Sequence, residues 1–157
     1  MEIQLLVIII IMIACSAFFS ASETALTGAN RIRLKSMAEN GSKGAKMALK
    51  LLDRYDKVIT TILIGNNIVN ITASSLGTIL ATAIVGPDNA ALVSTVVLTL
   101  VILALGEVMP KSLAKDHSEG LTVATSGIIT FLTFIFTPLS ALFILLKKLA
   151  NKLFGNK

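Results

Sequence analysis

The segment from Val58 to Val85 contains 28 consecutive residues without an ionisable side chain, and this run constrains the fold more than any other feature. An α-helix rises about 1.5 Å per residue, so the segment is long enough to cross the roughly 30 Å hydrocarbon core of a bilayer. Composition agrees, because 54% of the 157 residues are hydrophobic and 15% are charged, whereas soluble domains have about 25% charged residues. The sequence therefore predicts an all-α integral membrane protein.

Two further segments predict transmembrane helices, at residues 3–27 and 89–110. The first begins with eleven consecutive apolar residues, Leu5–Cys15, and no basic residues precede it, so we expect a retained span and not a secretory signal. The last follows a predicted tight turn at Gly86–Asn89. With the span at 58–85, three transmembrane helices are expected in a single domain covering residues 1–157.

Residues 28–57 have the opposite character, since they hold 8 of the 14 lysines and arginines. Gly41 and Gly44 are expected to divide this segment into two short helices, each with apolar positions at helical spacing. Positive residues favour the cytoplasmic side of a membrane. The pattern predicts a cytoplasmic helical hairpin against the membrane surface.

The apolar stretch Leu121–Leu146 would count as a fourth span on hydropathy alone. Three crossings place all 14 basic residues on one side, whereas a fourth would expose the four lysines after residue 146, which end with Lys157. Pro138 also interrupts a straight helix. We therefore expect a bent juxtamembrane helix at about 120–150 along the inner leaflet, with the N-terminus outside and the C-terminus in the cytoplasm, and we retain a fourth crossing as the alternative.

Several functional classes are disfavoured. The net charge of +5 could suggest nucleic-acid binding, but the basic residues flank apolar segments and the chain has one tyrosine and no tryptophan for base stacking, so no nucleic acid is expected. The single Cys15 excludes an intrachain disulfide, and His117 is the only histidine. No protease, hydrolase or Walker motif is present, so we do not expect an enzyme.

Glu107 lies near the end of the predicted span at 89–110, and a carboxylate at membrane depth costs about 2.5–3.5 kcal/mol unless it has a partner. A cation, a proton or a basic residue could be that partner. The alternative is that Glu107 lies near the interface and pairs with Lys111 at i+4. Pro110 has no N–H to offer the Gly106 carbonyl, so an oxygen is freed beside the carboxylate, as a hard cation requires.

Two other predicted spans carry polar side chains at helical spacing. Asn66 and Asn70 share one helical face, and Ser16 and Ser20 are likewise four residues apart, with Ser22 close by. The alternatives are hydrogen bonds between helices for the asparagines, and packing or bonding to the i−4 carbonyl for the serines. Taken together, these groups predict an all-oxygen cation site between three helices, which disfavours zinc and copper.

Three segments resemble signature motifs of the membrane domain of the CorC and cyclin M (CNNM) magnesium transporter family. They are Ser16–Leu26 (SAFFSASETAL), Gly65–Asn70 (GNNIVN) and Gly106–Lys111 (GEVMPK). The resemblance covers nearly the whole chain. It implies a multi-pass homodimer in the plasma membrane, in contact with membrane lipids, that exports Mg²⁺ and is driven by inward Na⁺.

The resemblance also implies the ligands of the transported ion. They are Ser20, Asn66, Asn70, Glu107 and the carbonyl of Gly106, with Ser16 and Ser22 as further candidates. Full-length members continue into cytosolic nucleotide-binding domains. Nothing in this chain resembles those domains, so ATP is not expected to act on it directly. The alternative function is a non-transporting dimeric membrane module that senses Mg²⁺ or anchors a cytosolic partner.

Overall fold

The computed structural model describes residues 1–155, and every regular element in that range is helical. Lys157, which the charge argument assigns to the cytoplasm, lies outside the described residues. One π-helical segment, Ile102–Val108, lies between the α-helices Pro87–Val101 and Met109–Asp116, and the three segments are continuous. The α-helices are α1 (Glu2–Gly28), α2 (Arg31–Glu39), α3 (Lys43–Asp53), α4 (Tyr55–Val85), α5 (Pro87–Val101), α6 (Met109–Asp116), α7 (Ser118–Ile135) and α8 (Thr137–Phe154).

The structure contains several long apolar helices, which are consistent with an integral membrane domain. By length and composition, α1, α4, α7 and the continuous unit Pro87–Asp116 could each cross a bilayer. We call Pro87–Asp116 the split helix, because its π-helical segment divides it. The turn predicted at Gly86–Asn89 is shorter than expected: only Gly86, with a φ of 83°, lies outside a helix, and Pro87 already begins α5. Proline suits that position because the first helical N–H has no intrahelical partner.

The basic segment folds into the helical pair α2 and α3. Each helix has a side-chain N-cap, with Asn30 accepting hydrogen bonds from two backbone N–H groups of α2 and Ser42 accepting one from α3. Gly41, with a φ of 97°, makes the turn between them. The prediction that Gly44 also divides the helices is wrong. It lies inside α3, where a Cβ would come within 2.6 Å of the Val123 side chain of α7.

A buried cluster joins α1, α3, α4 and α7 where the helical pair meets the long helices. Small residues allow these helices to approach closely, and Ala25, Ala45 and Ala48 have no exposed surface. The members of the cluster are Phe19, Leu26, Leu51, Val58, Ile62 and Ile129. The core therefore lies around the end of α1 and the beginning of α4.

Helix α7 begins against the end of α1 and then runs along α3. Gly28 lies against Ser118 at its start, and farther along Gly127 faces Met47. The chain breaks at Phe136, whose N–H bonds to the Leu132 carbonyl, and α8 begins at the next residue. Helix α8 then packs against α4.

Glu119, in the first turn of α7, connects that helix to α2. Its Oε1 accepts a hydrogen bond of 3.1 Å from the Asn30 N–H and lies 3.9 Å from a guanidinium nitrogen of Arg33. Hydrogen bonds from the backbone N–H groups of Glu119 and Asn30, helped by Arg33, hold the pKa of this carboxyl below its ordinary value of 4.5. The ionised form therefore stabilises the fold.

We expect Glu119→Gln to lower the Tm at pH 7. Since the pKa is lower in the folded state than in the unfolded state, the stabilisation is complete above pH 4.5 and is lost as the pH falls through the lowered pKa. The difference in Tm between wild type and variant should therefore shrink in acid. The exposed Glu39 provides the control, and Glu39→Gln should show no such trend. A Glu119→Gln difference that is constant with pH would contradict this account.

Candidate metal centre

Ser16 connects the three helices that carry the predicted ligands. Its hydroxyl is fully buried in α1 and donates a hydrogen bond of 3.0 Å to Asn66 Oδ1 of α4. The same oxygen lies 3.5 Å from the Gly106 carbonyl of the split helix. A hydroxyl has one proton, and the shorter contact to Asn66 is the stronger bond. The Gly106 carbonyl is therefore only weakly engaged.

Two glycines bring the helices close enough for these contacts. A Cβ on Gly65 would come within 2.5 Å of the Phe19 ring, and a Cβ on Gly106 would come within 2.9 Å of Ser16 Oγ. Each glycine directly precedes a predicted ligand, Asn66 or Glu107. Close packing of α1 against both neighbours therefore fixes the backbone at these ligands.

Three predicted ligands carry a buried oxygen that has no hydrogen-bond partner in the described structure: Ser20 Oγ, Ser22 Oγ and Asn70 Oδ1. An unpartnered buried polar group costs about 1–3 kcal/mol. The alternative that these serines bond to their own i−4 carbonyls is not observed, although hydroxyls elsewhere do so, as Thr61 does to Lys57. Buried oxygens without a hydrogen-bond partner therefore lie on two adjacent helices, α1 and α4.

Glu107 is half-buried in the π-helical segment, and no basic group lies within 4.0 Å of its carboxylate among the described residues. The alternative pairing with Lys111 is not observed. Lys111 Nζ instead lies 3.5 Å from Glu23 Oε2 of α1. The ion pair therefore connects α1 to α6, one helical turn beyond Ser20 and Glu107 along their respective helices.

The π-helical segment has no signal in the sequence pattern. At its end the Met109 N–H bonds to the Ala104 carbonyl five residues earlier, instead of four. Pro110 follows and has no N–H. Short π-helical insertions occur often at functional sites, because they widen the helix and change the direction of neighbouring groups. Glu107 and Gly106 lie inside this widened segment.

A cavity of about 420 Å³ lies between α4 and the split helix, with Asn70 in its lining. Thr78 and Ser94 join its two walls through a hydroxyl contact of 3.0 Å. This cavity is not among the predicted features, although one signal was present: Asn66, Asn70, Ser74 and Thr78 recur every four residues and so share one helical face. Its other hydroxyl-bearing residues are Ser75, Thr95 and Thr99.

The donor set is unusual for a tightly bound metal. No group of three or more histidine, cysteine, aspartate or glutamate side chains that could hold a metal occurs among residues 1–155. Ser16 contacts both Asn66 and Gly106, with a hydrogen bond of 3.0 Å to Asn66 and a weaker contact of 3.5 Å to the Gly106 carbonyl. The remaining predicted ligands lie on the same three helices without a hydrogen bond between them in the part described. One carboxylate and several neutral oxygens suit a weakly held hard cation.

Similarity to known proteins extends over nearly the whole chain. The family model of the cyclin M transmembrane N-terminal domain matches residues 7–157. A UPF0053 protein of Haemophilus influenzae is 40% identical over 153 residues, which cover 98% of this chain and 36% of the relative. The UPF0053 inner membrane protein YfjD of Escherichia coli is 40% identical over 142 residues, covering 90% of this chain and 33% of the relative. The chain thus spans about a third of these relatives.

The close approach at Gly106 predicts a specific steric effect. Gly106→Ala places a methyl group against Ser16, so we expect a loss of about 1–3 kcal/mol in the free energy of unfolding. Gly120→Ala in α7 is the matched control, because nothing lies within 4 Å of its Cβ position. Thermal unfolding in detergent measures both. Equal stability of the two variants would contradict the close packing.

Proposed function

Because this chain belongs to the cyclin M transmembrane-domain family, we propose that it carries Mg²⁺ across the membrane through the oxygen groups between α1, α4 and the split helix. The observation that carries the proposal is the set of buried, unpartnered oxygens of Ser20, Ser22 and Asn70 on the helices beside Glu107. A hard cation prefers oxygen ligands and would satisfy these groups at once.

Each ligand has a separate role in this proposal. Glu107 supplies the negative charge, while Ser20, Asn70 and the Gly106 carbonyl replace water around the ion. Ser16 orients Asn66 through their 3.0 Å hydrogen bond, which leaves a second lone pair on the amide oxygen for the ion. A single carboxylate against a divalent ion leaves net positive charge, so binding is weak enough for release.

Transport requires the site to open to each side in turn. The hydroxyl-lined cavity beside Asn70 is the proposed outer route, since it runs from the site along α4 and α5. The ion pair between Glu23 and Lys111 is the proposed inner closure, because it joins α1 to α6 one turn from the site. Separation of that pair would open the site toward the cytoplasm.

We propose three crossings, by α1, α4 and the split helix, with the N-terminus outside and α7 and α8 along the inner leaflet. The contacts of α7 with α3 and of α8 with the start of α4 support this arrangement, because all involve the basic end of the molecule. Lys147 of α8, for example, lies 3.8 Å from Asp56 in the first turn of α4. The proposed location is the inner membrane, because the Escherichia coli relative is named as an inner membrane protein.

A homodimer and sodium coupling complete the proposal. The hydroxyls that line the cavity between α4 and α5 are costly to expose to lipid, and a second copy packed against its rim would separate them from lipid while leaving the route between the helices open to water. An inward Na⁺ gradient is the proposed energy source for Mg²⁺ export. The activity belongs to the membrane domain and is not enzymatic.

The second candidate is a dimeric membrane module that senses Mg²⁺ or anchors a cytosolic partner without transport. The weak, single-carboxylate site is compatible with sensing. Flux separates the two functions: purified protein in liposomes containing a Mg²⁺ indicator should change the internal signal under a Na⁺ gradient. Binding of Mg²⁺ without flux would favour the sensor.

Glu107→Gln is the most direct test of the charge in the site. The amide keeps the size and one oxygen but removes the negative charge, so the increase in Tm on adding Mg²⁺ should be abolished, together with flux. Glu39→Gln removes one negative charge on the exposed end of α2 and should keep both responses. If Mg²⁺ raised the Tm of Glu107→Gln as much as that of the wild type, Glu107 would be excluded as a ligand.

Replacing Ser16 and replacing Ser20 should affect stability differently in the absence of Mg²⁺. Ser20→Ala removes an unpartnered oxygen, so stability should be unchanged or higher, but the Mg²⁺-dependent increase in Tm should fall. Ser16→Ala removes the bond to Asn66 and should destabilise by about 1 kcal/mol without any ion. Thermal unfolding of both variants with and without Mg²⁺ distinguishes ligation from packing. A fully retained Mg²⁺ response in Ser20→Ala would contradict its role.

A further inference from the structure

Two adjacent cavities lie where the end of α3, the start of α4 and the junction of α7 and α8 meet. Their volumes are about 380 Å³ and 360 Å³, and both are lined by Lys57 and Thr137. The first also contacts Lys50 and Arg54, and the second also contacts Lys148. We call these four cationic residues, Lys50, Arg54, Lys57 and Lys148, the basic corner.

The basic corner carries an excess of positive charge. Neither of these two cavity linings contains an acidic residue, although a third cavity beside them is lined by Arg54 and Lys57 together with Asp53 and Asp56. The two nearest carboxylates along the chain are engaged elsewhere, Asp53 with Arg31 at 2.8 Å and Asp56 with Lys147 at 3.8 Å. Among the described residues, no carboxylate lies within 4.0 Å of the four cations of the basic corner. The corner is therefore complementary to an anion.

Apolar side chains accompany these cations. Phe134 in the first cavity is 78% exposed, and Leu145 in the second is 53% exposed. The threonine hydroxyls of the first cavity donate to backbone carbonyls four residues earlier, as Thr133 does to Ile129 at 2.7 Å, so they add no donor for a phosphate. The basic side chains are therefore the groups that can bind an anion, and the exposed apolar side chains can contact hydrocarbon.

We propose that the basic corner binds an anionic glycerophospholipid, with the phosphate between Arg54 and Lys57 and the acyl chains along Phe134 and Leu145. A lipid combines the negative headgroup and the hydrocarbon that this corner requires, whereas inorganic phosphate matches only the cations. Such a lipid would hold the start of α4 against the junction of α7 and α8. The binding does not require Mg²⁺ or transport, so it can fail or succeed independently of the proposed function.

The test compares lipids added to the protein in detergent at fixed ionic strength. Phosphatidylglycerol should raise the Tm at least twice as much as phosphatidylcholine. The double variant Arg54→Gln/Lys57→Gln should lose at least half of the phosphatidylglycerol response. The control is Lys35→Gln/Lys43→Gln, which removes the same charge from exposed positions outside both cavities. This variant should keep the phosphatidylglycerol response.

Three results would overturn this assignment. They are equal stabilisation by the two lipids, equal loss of the response in both double variants, and reproduction of the response by inorganic phosphate. If the first double variant does not fold, native mass spectrometry of the wild type and of Lys148→Gln replaces it. Wild type should then retain phosphatidylglycerol over phosphatidylcholine, with less retained by Lys148→Gln, and no lipid preference would contradict the proposal.

Discussion

An oxygen atom buried among transmembrane helices cannot take a hydrogen bond from bulk water, so its partner must come from the protein or from a ligand. Ser16 and Asn66 satisfy this constraint with each other, and their bond ties α1 to α4. Ser20 and Asn70 do not satisfy it within the described chain. The proposed site depends on that difference, because oxygens left without a protein partner on neighbouring helices favour a bound cation.

The chemistry of the proposed site follows from its low charge. Several carboxylates would hold Mg²⁺ tightly, as in a structural site, whereas Glu107 alone leaves the ion partly uncompensated. Release is then possible when the neutral oxygens of Asn66 and Asn70 move away from it. The two glycines that let α1 approach, Gly65 and Gly106, pack it closely against the segments that carry Asn66 and Glu107.

The long helices and the shared face of Asn66 and Asn70 could be predicted from the sequence, since long apolar runs determine helices and i, i+4 spacing determines faces, while the ligand set stays a prediction. The interactions between helices could not. Lys111 follows Glu107 at i+4, the spacing of a pair on one helix, but it contacts Glu23 on another helix. The π-helical segment Ile102–Val108 was also missed, because its hydrogen-bond pattern depends on local packing that periodicity does not encode. Gly44 likewise contributes close packing and not a break.

A structure determined with Mg²⁺ in a lipid bilayer tests the central claim most directly. The account predicts one ion between α1, α4 and the split helix, with oxygens of Glu107, Asn66, Asn70 and Ser20 about 2.1 Å away in octahedral geometry. The carboxylate of Glu107 should be the only charged ligand. A structure determined in saturating Mg²⁺ would contradict this account if Glu107 paired with a basic residue and no ion lay between these helices.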